Sequence, residues 1–256
     1  MIYGQTSDQF QLFTGFDAKY MYGHAKGFVT SCALAKNNVH LHITNPIEKD
    51  WHYLDFLKKG YNILYPEGIL TTSYDTFNLN GFSPGQLKTF YTCIRFLVAP
   101  TVVRGGILIT DIDVLVIHNV TEPNADIGIF LRDLKYAEWN GLAGKVLASA
   151  VYCNPKNKDF LEYTNEFIMA NEKKWFVDQV ALLKAYEFFK DKKYHVYDQN
   201  FCDWDFSLKS TLWTGKGDRK SLNAVYTGKH KEFKALFPLK DKEYFNEKGY
   251  PISSKD

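Results

Sequence analysis

Asp111 and Asp113 interrupt an otherwise apolar run, Gly106 to Asn119 (GILITDIDVLVIHN). In an extended chain residues i and i+2 point to the same side, so both carboxylates can reach one point. Adjacent carboxylates repel, and burying either one unpaired is costly. A divalent cation answers both problems, because Mg²⁺ and Mn²⁺ commonly take one or two carboxylates together with substrate phosphate oxygens. The plain alternative is that the pair caps a loop and accepts from backbone amides. A second stretch, Leu212 to Lys220 (LWTGKGDRK), brings Lys216, Arg219 and Lys220 into five positions. Gly215 and Gly217 let the backbone come close, so the set suits phosphate oxygens; a solvated basic turn would look similar. His40 and His42 alternate along an early strand, where histidines are more often satisfied members of a sheet face than metal ligands. His118 lies close to the acidic pair and could serve as a further ligand, though nothing in its spacing singles it out.

These residues need elements to hold them. Phe10 to Thr14 forms a short apolar strand ending at Gly15. Tyr20 to Lys36 has helical spacing and stops at Asn37-Asn38. Val39 to Thr44 (VHLHIT) alternates as a strand, with the two histidines on one face. Asp50 to Lys59 is expected as a helix ending at Gly60, and Tyr61 to Tyr65 as a third strand. This β-α-β-α-β order argues for a parallel sheet with crossover helices. Ser83-Pro84 begins a helix that runs to about Val98, before Pro100, with Tyr91 and Arg95 four apart on one face. Ile107 to Thr110 is a strand apolar enough to be buried on both sides, ending where ligands sit in open α/β sheets. Ala125 to Phe130, the small-residue segment Val146 to Cys153 and Tyr194 to Tyr197 are strands. Phe160 to Glu172 and Asp178 to Phe189 are helices.

The 256 residues fit one α/β domain. With 45% hydrophobic and 23% charged residues the chain has material for a core and is not disordered. Thirty-one basic against 29 acidic residues give a formal charge of +2, too balanced for general binding to nucleic acid. Cys32, Cys93, Cys153 and Cys202 have neither CxxC nor zinc spacing and read as reduced core residues of a cytoplasmic protein. No signal peptide or membrane-spanning run is visible. Aromatic residues reach 16%, more than a core alone needs, and flat apolar faces suit sugars and bases.

The order of a helix carrying FYTCIRFLVAP and a strand running into ILITDIDVLV resembles the metal-dependent glycosyltransferases of the GT-A fold, most nearly the family-8 type that includes glycogenin and the bacterial lipopolysaccharide galactosyltransferases. The likeness spans most of residues 10–220 and is one of pattern, not of close identity. It implies a Rossmann-like α/β domain with a mostly parallel sheet. Within it, about 1–110 would bind the nucleotide, about 111–228 the metal, sugar and acceptor, and about 229–256 would be peripheral. It also implies a nucleoside-diphosphate sugar donor, with a uridine base and a glucose or galactose unit, transferred with retention to a glycan, lipid or protein acceptor. Asp111 and Asp113 would hold Mn²⁺ or Mg²⁺ against the diphosphate, with Ile112 between them beside the donor.

The resemblance carries over to further positions. Thr14, Gly15 and Phe16 would meet the nucleotide through the strand end, and Tyr20 would stack on the base. Arg95 would contact the donor, and Ser149 lies in a small-residue segment next to the sugar. Asp178 would bind sugar or acceptor hydroxyls, with Gln179 near the anomeric carbon; as the first residue of a helix, Asp178 could equally be an N-cap. Negative charge builds on the departing diphosphate, and Gly215, Lys216, Arg219 and Lys220 would cover it. Many relatives carry a third metal ligand, a histidine, in this late segment, whereas Trp213-Thr214 stands here. Two other classes compete. A dehalogenase-type phosphatase continues its acidic pair as DxDGT early in the chain, which Val114-Leu115 does not match. A binding protein without activity would also suit the aromatic content.

Overall fold

The computed structural model describes residues 1–132, 144–171, 176–203, 209–214, 222–250 and 252. Eight strands form the central sheet: β1 (Ile2–Tyr3), β2 (Gln11–Phe16), β3 (Val39–Thr44), β4 (Leu70–Asp75), β5 (Ile107–Ile109), β7 (Ile127–Leu131), β8 (Val146–Cys153) and β9 (Tyr194–Tyr197). Their spatial order is β1-β4-β3-β2-β5-β8-β7-β9. Strands β4, β3, β2 and β5 run parallel, as do β7 and β9. Strand β8 lies antiparallel to both β5 and β7. A small second sheet joins β6 (Leu115–Val116) to β11 (Leu212–Trp213) and β10 (Cys202–Asp203).

The sheet is covered on both sides, and its central strands β2, β3, β5 and β8 are buried at every position. Helices α2 (Lys26–Leu34) and α3 (Glu48–Leu64) cover one face through Phe28, Cys32, Leu54 and Leu57, which meet Leu12, Leu41 and Leu108. On the other face α4 (Pro84–Val102), α5 (Lys158–Ala170) and α6 (Val177–Phe188) bring Phe90, Ile94, Phe160 and Leu182 against Phe13, Ile107 and Ile129. All four cysteines are buried and none is in a disulfide. Among the described residues no helix is long and apolar enough to cross a membrane.

Several boundaries differ from the sequence expectation. Helix α3 does not stop at Gly60, and Tyr61 to Tyr65 is not a strand; the helix runs on to Leu64, and the third parallel strand is Leu70–Asp75. Gly60 is a site of close approach, not a terminator. A Cβ there would lie 2.1 Å from Cζ of Phe237. Gly60→Ala, which in an open helix would stabilise, should here cost roughly 1–3 kcal/mol by overpacking, read as a lower midpoint in urea with an unchanged slope. The stretch from 229 onward also contributes to the core. Helix α7 (Ala224–Ala235) packs on α2, Phe237 is buried, and α8 (Asp241–Tyr244) follows.

Helix α4 passes through Pro100 and ends at Val102. Pro100 falls in the last turn, where the lost amide leaves only one carbonyl without its helical partner. Its start is as the sequence indicates. Ser83 accepts from the amide of Gln86 at 3.3 Å, and Gln86 accepts from the amide of Ser83 at 2.9 Å, a reciprocal cap. Tyr20 to Lys36 is not one regular helix: α1 (Ala18–Tyr20) passes into a π turn over Met21–Ala25 before α2 begins.

Candidate active site

In the sheet order the chain turns outward from β2 in both directions, to β3 and β4 on one side and to β5 on the other. The carboxyl ends of β2 and β5 therefore flank a topological switch point, where open α/β sheets leave a crevice. A cavity of about 440 Å³ opens there, a size typical of small-molecule sites.

Several segments reach it. From the end of β2 come Gly15, Phe16, Asp17, Lys19 and Tyr20. Asp17 caps α1 by accepting from the Tyr20 amide at 2.8 Å, which leaves the Tyr20 ring 44% exposed at the rim. Gly15 has a packing reason of its own, since a Cβ there would lie 3.0 Å from the Arg95 amide and from Cγ2 of Ile94. Its absence lets α4 approach the strand. Thr14 is buried behind the cavity and does not line it. From α4 come Pro84, Leu87, Lys88, Tyr91, Thr92 and Arg95 along one stripe at helical spacing. Burial raises the Tyr91 phenol above its ordinary value, with Asp17 and Asp75 adding to the rise.

The acidic pair comes third. Strand β5 ends at Ile109, so Asp111, Ile112 and Asp113 lie on a turn and not on extended chain. Both carboxylates still line the cavity, by a turn in place of strand alternation. Strands β5 and β8 pair Ile109 with Val151, and continuing that register brings Ser149 opposite Asp111. The Ser149 hydroxyl donates to one oxygen of Asp111. Arg95 reaches the other at 3.0 Å and Asp178 at 3.4 Å. Its guanidinium also donates to the Thr92 carbonyl.

One buried guanidinium thus bridges two carboxylates from different elements, Asp111 and Asp178. Asp178 accepts from the adjacent Gln179 amide at 2.9 Å. It is not the N-cap of α6: Phe176 holds that position, and Asp178 is the second residue of the helix. Burial pushes its carboxyl above the ordinary carboxylate range; Arg95 opposes that rise and Asp111 adds to it.

Behind the turn, the Tyr226 hydroxyl of α7 donates to the Asp113 carbonyl at 3.1 Å. Tyr226 also stacks on Trp213, with ring centroids 5.5 Å apart. No local pattern signals this support, because it joins residues 113 positions apart. Tyr226→Phe should cost about 1 kcal/mol of stability, measured by denaturation.

Phe176, also in the lining, stands at φ 73°, ψ 12° just before α6. A bulky non-glycine residue in the left-handed region costs on the order of 1–3 kcal/mol, so its surroundings hold it there.

Lys88 and Arg132 were not anticipated. Lys88 was accessible from its spacing, seven residues before Arg95 on the same stripe, whereas Arg132 follows a strand end with no local signal. Thr214 lines the cavity, while Gly215, Lys216, Arg219 and Lys220 lie outside the described residues. His118 is exposed, and among the described residues no three His, Cys, Asp or Glu side chains form a metal cluster. His40 and His42 are satisfied sheet-face residues. His40 bridges Thr71 and Ser73, and His42 bridges Ser73 and Asp75, all within 2.7–2.8 Å. Burial and the neighbouring His42 bring His40 down to about 3.

Asp111 and Asp113 supply hard oxygen donors of the kind Mg²⁺ and Mn²⁺ accept, with remaining positions for phosphate oxygens. The described lining holds four cations, Lys19, Lys88, Arg95 and Arg132, and four carboxylates, Asp17, Asp111, Asp113 and Asp178. A lining so balanced fits a diphosphate dianion together with a divalent cation better than either alone.

No protein-family model matches the chain, and no curated protein sequence does. Solved structures do. The bifunctional glycosyltransferase WbbM in its apo form superposes with a TM-score of 0.60 at 12% identity, over 91% of this chain and 50% of that one. The glycosyltransferase GlyE of Streptococcus pneumoniae TIGR4 gives 0.55 at 13% identity, over 96% of this chain and 67% of GlyE. The apo form of GlyE gives 0.56 at 11%, over 90% and 61%. The chain spans about half to two thirds of the length of these structures. Its α/β architecture, a mixed and mostly parallel sheet flanked by helices, is the fold of these glycosyltransferases.

Proposed function

We propose that this chain is a metal-dependent glycosyltransferase that moves a hexose from a nucleoside-diphosphate sugar to an acceptor hydroxyl, in the manner of the family-8 enzymes its sequence resembles. One observation carries the reading. Tyr20, Arg95, the Asp111–Asp113 turn, Ser149 and the Asp178–Gln179 pair come from five separate segments and line a single cavity at the switch point of a glycosyltransferase fold.

Tyr20, exposed at the rim, offers its ring to the base. Asp111 and Asp113 would hold Mn²⁺ or Mg²⁺, which supplies charge neutralisation of the departing diphosphate. Arg95 and Ser149 fix the orientation of Asp111 before the donor arrives, so little reorganisation remains for binding. Asp178 and Gln179 face the sugar end and bind its hydroxyls. Thr214 lines the cavity and directly precedes Gly215 in the chain, and Lys216, Arg219 and Lys220 would supply further cations to the leaving group.

The test is release of nucleoside diphosphate from a panel of nucleotide-sugars, uridine and guanosine forms first, with Mn²⁺ and with EDTA. The expected outcome is release with one donor family that EDTA suppresses. A donor held intact under all conditions would make the chain a binding protein. Release of inorganic phosphate from simple monoesters would return the phosphatase reading. Retention is checked on the product anomer by NMR.

A further inference from the structure

Phe176 combines three facts that ordinary packing does not require together. It is an aromatic residue in the left-handed region, at φ 73°. It lines the cavity, only partly buried. It sits two residues before Asp178, whose carboxylate is tied to Arg95 at 3.4 Å. Glycine or asparagine would occupy that backbone conformation more readily, and either would still start α6. The backbone conformation therefore does not by itself call for an aromatic side chain here.

A pyranose has a polar rim of hydroxyls and an apolar face of C–H groups, so a site for it needs hydrogen-bonding groups at the edge and a flat apolar surface beneath. Asp178, Gln179, Arg95 and Ser149 supply the first around this end of the cavity. Among the described residues the other aromatic lining residues are Phe16, Tyr20 and Tyr91, from the β2 end and α4. Phe176 is the aromatic residue that the α6 start itself contributes.

We propose that Phe176 is a specificity-determining residue, its ring forming the platform for the C–H face of the transferred sugar, held there by a left-handed turn that spends stability to aim it. This rests on the glycosyltransferase reading and names the part of the donor that the residue reads: the hexose, not the base or the diphosphate.

The test compares wild type, Phe176→Asn and Phe176→Tyr. Each is titrated with a nucleoside diphosphate and with its hexose conjugate in the presence of Mn²⁺, and each is melted thermally. Phe176→Asn should weaken the conjugate by a factor on the order of ten while leaving the free diphosphate within about twofold. Its Tm should equal or exceed that of wild type, because the strain is released. Phe176→Tyr keeps the ring and should keep conjugate affinity within about threefold. Equal weakening of both ligands, no weakening of either, or a Tm several degrees lower for Phe176→Asn would overturn the platform and make the ring a packing element. If wild type binds neither ligand, the glycosyltransferase reading fails first and the platform with it.

Discussion

Asp113→Asn is expected to reduce the Mn²⁺-dependent affinity for nucleoside diphosphate to the level that wild type shows in EDTA. Even the outer partners of metal ligands typically cost 10–100-fold when removed, so losing a ligand should cost roughly 10²-fold or more. The fold should survive. Asn keeps the shape of the side chain, and the Tyr226 hydroxyl holds the turn through the Asp113 carbonyl, which the substitution does not touch. Asp111→Asn should lose binding as well but behave differently in a melt. Asp111 accepts from both Arg95 and Ser149, and replacing it leaves Asp178 as the only carboxylate on that guanidinium. The cost should be about 1 kcal/mol, below that of a fully buried pair because the Asp111 side chain is 30% exposed. Titration calorimetry with Mn²⁺ and with EDTA decides the matter. Equal affinity of wild type in both media would refute the metal reading.

Asp178→Asn should separate catalysis from stability. On the proposed glycosyltransferase reading its carboxylate meets the sugar, so turnover should fall on the order of 10²-fold while free diphosphate binding changes by less than about twofold. Stability should move the other way. Burial is the largest influence on the Asp178 carboxyl and raises its folded pKa above the unfolded value. Between those two values the folded state binds more protons than the unfolded, so stability falls as pH rises through the window. Above that window wild type carries the full cost of the buried charge. Asn carries none, and there its Tm should be equal or higher. As pH is lowered through the window, wild type gains stability from this group and the gap should close. A Tm well below wild type at the high-pH side of the window would show that the charged pair with Arg95 is needed to hold α6, and that the loss of turnover is structural.

The two carboxylate results bear on how the site is built. Arg95 comes from the middle of α4, Asp111 from a turn after β5 and Asp178 from the first turn of α6. Each was legible singly as a chemistry-bearing residue, because a charge within an apolar run or on a helix with a buried face is conspicuous. That one guanidinium joins two of them was not legible. The contact depends on the close approach of α4 to β2, which Gly15 allows only where Arg95 packs on it.

Local pattern by itself determined much of this protein. Alternation marked VHLHIT, and its histidines form the polar ladder with Ser73 and Asp75. Ser83-Pro84 marked the start of α4, and the small-residue run marked Val146–Cys153. Those signals are short-range: side-chain period, cap chemistry and apolar runs act within a few residues. Only the tertiary structure decided the meaning of Gly60, a glycine that reads as a helix end until Phe237, 177 positions away, is seen against it. Likewise only the assembled fold could set the acidic pair on a turn, Tyr226 beneath it and Phe176 in a strained conformation beside it. Such features follow from contacts between elements far apart in the chain, and their energies depend on packing distances that no local pattern encodes.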